Sequence, residues 1–215
     1  MSSIVLYSYW RSSSSYRVRF ALAAKKLAFE TVTVNILKGE THSAEHVARS
    51  PTGHVPCLIL EGRTLIESVP IIELLDTLYP QPALYPEDPW EKARVRTIVE
   101  VINSGIQPLQ NSKVQAHLSD DPAVRKAWAT HFNRIGLEAL EALLDIYSKE
   151  GLRGKYTYGD TLTAADIFVV PQVYSARRFG IDISEFPRVH AASQAAEATE
   201  AAQAALPENQ PDAVK

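Results

Sequence analysis

A strand that runs into a helix through four consecutive serines is the feature that most limits how this chain can fold. Ile4-Val5-Leu6-Tyr7 reads as a buried strand, and Val18, Phe20, Ala21, Leu22 and Ala24 recur at helical spacing. Between them lies Trp10-Arg11-Ser12-Ser13-Ser14-Ser15-Tyr16-Arg17-Val18-Arg19. The first N–H groups of a helix have no intrahelical acceptor, and the helix dipole places its positive end there, so an anion is favoured. A serine hydroxyl can add a hydrogen bond to a phosphate, a carboxylate or a thiolate. A helix cap by itself accounts for one serine. Four of them, with Arg11, Arg17 and Arg19 close by, point to an anion site and leave the anion open.

The remaining pattern divides the chain near residues 80–90. Before that point strand and helix signals alternate in the order β-α-β-α-β-β-α. A helix is predicted over about Tyr16–Lys25, a strand at Phe29–Val34, and a polar, histidine-containing segment at Lys38–Ala48. Val55–Leu60 and Thr64–Ile66 read as a hairpin turning at Gly62, and Ser68 caps a helix that ends before Pro80. Pro56 marks an edge, a strand start or a cis turn; on general frequencies the trans form is expected. Tyr79–Pro86 is proline-rich and reads as a linker. Beyond it helices are predicted at Trp90–Ile106, Ala123–Ser148, Thr163–Phe179 and Pro187–Ala205, with Pro207–Lys215 as a frayed tail. The expected domains are 1–80, a linker over 81–90, and an all-helical domain over 91–215. Thr163-Ala164-Ala165-Asp166 has capping-box form, with Asp in place of Glu, so Asp166 reads as structural.

Composition narrows the class. A net charge of -3 gives no bulk attraction to nucleic acid. No apolar run approaches the roughly 20 residues of a membrane helix, and no apolar signal segment opens the chain, so no membrane partner and a cytoplasmic location are expected. Cys57 is the single cysteine; it cannot form an internal disulfide, and it reads as a core residue. The six histidines lack metal-ligand spacing, so no metal is expected.

Taken together these motifs resemble cytosolic glutathione transferases over nearly the whole chain, with the zeta class, which includes maleylacetoacetate and maleylpyruvate isomerases, the most similar. The class signature Ser-Ser-Cys-X-Trp-Arg-Val-Arg reads here Ser12-Ser13-Ser14-Ser15-Tyr16-Arg17-Val18-Arg19. Further matches are Gly105–Asn111, Tyr158-Gly159-Asp160, Val170-Pro171-Gln172-Val173 and Ala176-Arg177-Arg178-Phe179. The resemblance implies α/β plus all-α architecture: an N-terminal thioredoxin-like glutathione-binding domain followed by a C-terminal helical bundle domain. It also implies a homodimer and a small dicarboxylate or electrophilic substrate, with glutathione as cofactor. The implied reaction is cis–trans isomerisation of maleylacetoacetate to fumarylacetoacetate, in which a thiolate adds to the double bond, rotation follows, and the thiolate leaves.

That chemistry implies residue roles. Ser12, with Ser13 close behind, hydrogen-bonds the glutathione thiolate and lowers the thiol pKa by favouring the charged form. Ser14, His42, Val55 and Pro56 complete that end, with Val55 pairing the cysteinyl backbone. Glu67 and Ser68 hold the γ-glutamyl ammonium and carboxylate. Gln107 and Asn111 add polar contacts, and Arg11 and Arg178 are the candidates for substrate carboxylates. Two departures bear on substrate. Ser14 stands at the signature cysteine, leaving glutathione as the only nucleophilic sulfur expected at the site. Ser112-Lys113 stands where the maleylpyruvate relative carries paired arginines, which tilts the reading toward maleylacetoacetate. Alternatives are maleylpyruvate isomerisation, a transferase or haloacid dehalogenase of the same class, and a non-catalytic glutathione-binding module.

Overall fold

The computed structural model describes residues 4–152 and 154–214. The chain forms two units, Met1–Ala83 together with Thr199–Lys215, and Leu84–Ala198. In the first unit β1 (Ile4–Ser8), α1 (Ser13–Ala24), β2 (Glu30–Thr33), α2 (Ala44–Arg49), β3 (Cys57–Leu60), β4 (Arg63–Ile66) and α3 (Ser68–Leu78) follow in order. The sheet order is β2-β1-β3-β4. β1 runs parallel to β2, with Val5 opposite Glu30, and antiparallel to β3, with Leu6 opposite Leu58. β3 and β4 form the predicted hairpin. This is the expected thioredoxin-like arrangement. A parallel pair needs a long crossover, and α1 supplies it.

Burial follows position in the sheet. Central β1 buries Ile4, Leu6 and Ser8, and central β3 buries Cys57, Leu58 and Leu60, while edge strand β2 leaves Glu30 and Thr33 exposed. Glu61 and Gly62 turn the hairpin with φ of 53° and 72°, the paired left-handed geometry that two-residue hairpin loops favour. α1 is buried over Ser15–Leu22 and packs against α3 and the C-terminal helix. Its last turn is clamped by Lys25, whose Nζ donates to Asp76 Oδ1 at 2.8 Å and to the carbonyls of Tyr79 and Pro82 at 2.6 and 2.9 Å.

Three expectations are corrected here. Arg17 and Arg19 do not flank an exposed anion site, because both are fully buried, at 0 and 1% exposure. Arg17 Nη1 donates to Ser68 Oγ at 3.3 Å, and Arg19 donates to Ser8 Oγ and the carbonyls of Tyr9, Trp10 and Ala205. Val55-Pro56 is cis. The C-terminal end is neither one helix nor frayed. α8 (Pro187–Glu197) stops, Thr199 Oγ1 accepts from the Ala202 amide at 3.3 Å, and α9 (Glu200–Ala205) begins afresh. A 3-10 turn at Pro207–Asn209 follows, and Asp212 Oδ2 accepts the Trp10 amide at 3.0 Å. Residues from Thr199 onward therefore belong with the first unit instead of the helical one; Lys215 lies outside the described residues.

The second unit contains α4 (Pro89–Asn103), α5 (Ser112–Leu118), α6 (Pro122–Lys149), α7 (Ala164–Arg178) and α8. Asp88 and Asp121 cap α4 and α6, each with proline in the first turn. Helix α5 was not foreseen: it is short and buries no residue, so it carries no apolar period. The capping box of α7 is present. Asp166 Oδ2 accepts the Thr163 amide at 2.9 Å and Oδ1 the Thr157 amide at 2.8 Å. Burial pushes this carboxyl up, and the donors on Thr163 and Thr157 pull it back toward the charged form. Gln110, Asn133, Gln172 and Ser175 form a second buried polar cluster. Gln110 Oε1 accepts from Asn133 Nδ2 at 2.6 Å and Gln172 Nε2 at 3.2 Å, and Gln172 Nε2 also donates to Asn133 Oδ1 at 2.6 Å. Asp166→Ala strips two buried amides of their acceptor and removes the box, so it should lower stability by about 2–4 kcal/mol in urea denaturation.

Candidate active site

The serine segment is a helix N-terminus, as its residue types demand. β1 ends at Ser8, the chain turns over Tyr9-Trp10-Arg11, and Ser12 is the N-cap of α1. The Ser12 amide donates to the Tyr9 carbonyl at 3.0 Å, and Ser12 Oγ accepts the Ser15 amide at 3.2 Å. The Ser12 hydroxyl proton stays available for an outside acceptor. The Ser13 and Ser14 amides, the first of α1, have no acceptor among the described residues. Ser12, Ser13 and Ser14 are each half-buried, whereas Ser15 is buried. Half-buried Arg11 lies beside this end with its guanidinium 5.3 Å from the Trp10 ring centroid.

Two further segments of the first unit carry candidate residues. The β1–β3 ladder ends at Tyr7 opposite Cys57, so Val55 and the cis bond to Pro56 lie just beyond it. Val55 packs with Tyr9, Trp10 and Val34, which ties it to the serine loop. The carbonyl before it, that of His54, accepts from His46 Nε2 at 2.9 Å and Ser50 Oγ at 3.0 Å. Because a carbonyl only accepts, His46 carries its proton on Nε2 in this bond. Glu67 is the N-cap of α3 with φ 70° and ψ 131° and makes no side-chain cap bond. Ser68 follows, buried against Arg17. A glutamate at that φ and ψ is held in a sparsely populated region, the kind of strain that collects at binding sites.

The other candidates fall out as follows. His42 closes a 3-10 turn and is exposed; Thr41 before it is buried. In the second unit Gln107 is half-buried, and Asn111 caps α5 by accepting the Lys113 amide at 2.9 Å. That cap engages its oxygen and leaves its amide nitrogen for other acceptors. Arg178 is exposed at the end of α7. Cys57 is fully buried in β3; burial pushes its thiol up and the charge of Arg49 offsets this in part, so it is no nucleophile at neutral pH. Among the described residues no cluster could hold a metal ion. The buried amide cluster around Gln110 and Asn133 was missed: Gln172 and Gln110 lay within matched motifs, but no local pattern pairs them with Asn133.

Residues 2–77 match the glutathione S-transferase N-terminal domain. A probable maleylacetoacetate isomerase 2 of Drosophila melanogaster is 42% identical over 97% of this chain and 89% of its own length. The chain belongs to the zeta-class glutathione transferases. This transferase is also 41% identical to the maleylacetoacetate isomerase of Pseudomonas aeruginosa, over 96% of this chain and 97% of that one. Among solved structures, a zeta-class maleylpyruvate isomerase in its holo form superposes with a TM-score of 0.94 at 37% identity, covering 98% of this chain and 100% of that chain. A maleylacetoacetate isomerase from Anaeromyxobacter dehalogenans with glutathione in its active site gives 0.89 at 43% identity, covering 99% of each.

Glycine, lacking a Cβ, tolerates a φ near 70° better than other residues do, although in ordinary ordered positions it costs stability relative to alanine. In this transferase Glu67→Gly is therefore expected to be more stable than Glu67→Ala by about 1 kcal/mol in equilibrium urea denaturation.

Proposed function

We propose that this transferase is a glutathione-dependent isomerase that converts maleylacetoacetate to fumarylacetoacetate. The observation that carries the reading is the α1 N-terminus, where half-buried Ser12 keeps a hydroxyl proton to donate and the Ser13 and Ser14 amides have no acceptor among the described residues. A tripeptide thiol fits what surrounds it. Val55 offers its peptide group beyond the end of the ladder, and Glu67 and Ser68 stand at the start of a second helix. Bound glutathione supplies a thiolate that adds to the cis double bond, permits rotation and departs.

The protein has three tasks in that cycle. Ser12 donates to the sulfur, with the Ser13 and Ser14 amides adding the field of the helix end, so the thiol stays ionised near neutral pH. Val55 and Pro56 align the cysteinyl backbone, while Glu67 takes the ammonium and Ser68, polarised by Arg17, takes the γ-glutamyl carboxylate. Arg11 and Arg178 are each assigned to a substrate carboxylate on the resemblance, a cation there favouring negative charge on the substrate. His42, Gln107 and Asn111 are assigned supporting polar contacts. We further assign the chain to the cytoplasm as a homodimer, on the resemblance alone; sedimentation gives its mass.

Maleylpyruvate isomerisation is the second reading, favoured by the 0.94 TM-score to the maleylpyruvate enzyme. Against it, Ser112 and Lys113 open α5 with one cation where paired arginines are expected. The test follows formation of the trans product from maleylacetoacetate, maleylpyruvate and, for halide release, dichloroacetate, each with and without glutathione. Turnover of maleylacetoacetate only with glutathione is expected, and its absence sinks the reading. Ser12→Ala should lower kcat/KM about 100-fold and move the acidic limb of the pH profile upward, because losing a donor to the thiolate raises the thiol pKa. Ser12→Thr keeps both cap and hydroxyl and should retain most activity.

A further inference from the structure

The turn that presents Ser12 is held from a distant part of the chain. Tyr9-Trp10-Arg11 has no ladder partners, so its backbone groups need others. Arg19 Nη2 donates to the Trp10 carbonyl at 2.9 Å, and Arg19 Nη1 to the Tyr9 carbonyl at 3.4 Å. The Trp10 amide points the other way and is taken by Asp212 Oδ2 at 3.0 Å, across 202 residues of sequence. The same C-terminal segment receives Arg19 Nε on its Ala205 carbonyl at 3.2 Å. Its Ala213 packs on the cluster of Tyr9, Trp10, Val34 and Val55. One segment thus touches both the turn leading to Ser12 and the apolar cluster that contains Val55.

We propose that Asp212 is a positioning residue for the reaction: by holding the Trp10 amide it sets where the Ser12 hydroxyl and the Ser13 and Ser14 amides point. This rests on the proposed thiolate role of Ser12. A carboxylate-to-amide hydrogen bond is stronger than a neutral one, and this one adds to the Arg19–Ala205 bond and the Ala213 packing that join the same segments. Losing it leaves the Trp10 amide, two residues before the N-cap, without its acceptor and leaves the turn to Arg19 alone. An N-cap that wanders keeps the helix but loses the alignment on which stabilisation of a small anion depends. Asp212 itself touches neither glutathione nor substrate in this assignment.

The test uses the full chain with Asp212→Ala and Asp212→Asn; asparagine keeps an oxygen that can accept the Trp10 amide. Amide hydrogen exchange over Trp10–Ser14 is read without ligand, and the pH profile of glutathione-dependent isomerisation is read beside it. In Asp212→Ala the Trp10 amide should exchange about tenfold faster, and the acidic limb should move up by about one pH unit with the thermal midpoint nearly unchanged. Asp212→Asn should restore both. Exchange equal to the wild type in Asp212→Ala overturns the inference, whatever becomes of the isomerase reading. Faster exchange with an unmoved pH profile overturns it too, by leaving Asp212 a structural tie only. A wild type that isomerises nothing sinks the isomerase reading by itself; the positioning role falls with it, while the exchange data still report the tie.

Discussion

Arg19 is the constraint on which the first unit is built. A guanidinium taken out of water must find oxygen partners or cost several kcal/mol, and here it finds Ser8 Oγ and the carbonyls of Tyr9, Trp10 and Ala205. Those partners come from the end of β1, the turn after it and the last residue of α9. A single buried charge therefore decides that the first helix, the first strand and the C-terminal segment are parts of one body. The arginine that looked in sequence like an exposed attractor of anions works instead from the inside, shaping the turn before Ser12.

Around that anchor the site is assembled from ends of elements. Ser12 begins α1, Val55 precedes β3, and Glu67 and Ser68 begin α3. Each end leaves backbone groups that the regular structure cannot satisfy, and each is held rigid by buried partners: Arg19 behind the serine turn, His46 and Ser50 behind His54, and Arg17 behind Ser68. The strain at Glu67 fits the same scheme, in which the fold supplies the stability that a binding geometry gives up. The second unit answers its own polar burden separately, with the α7 capping box and the Gln110–Asn133–Gln172 amides.

Most of the fold was legible because its signals are local. Apolar period, caps and proline punctuation lie within one or two turns of chain, and they located all four strands and the long helices to within a few residues. The serine-rich start of α1 was likewise readable as a helix N-terminus, whereas the positive φ of Glu67 and the cis Val55-Pro56 bond were not. What escaped was non-local. Helix α5 has no buried face to print a period, and the alanine-rich end reads as one helix because no proline or glycine marks the break at Ala198-Thr199.

By itself the sequence determined the strand–helix order and the family, since these depend on patterns a few residues long. Only the tertiary structure decided that Arg17 and Arg19 are buried, that Val55-Pro56 is cis, and that residues 199–214 return to brace the turn before Ser12. The reason is physical. A buried charge and an unpaired amide are satisfied by whichever groups the fold brings near, and Asp212 and Trp10 are neighbours in space while 202 residues apart in the chain.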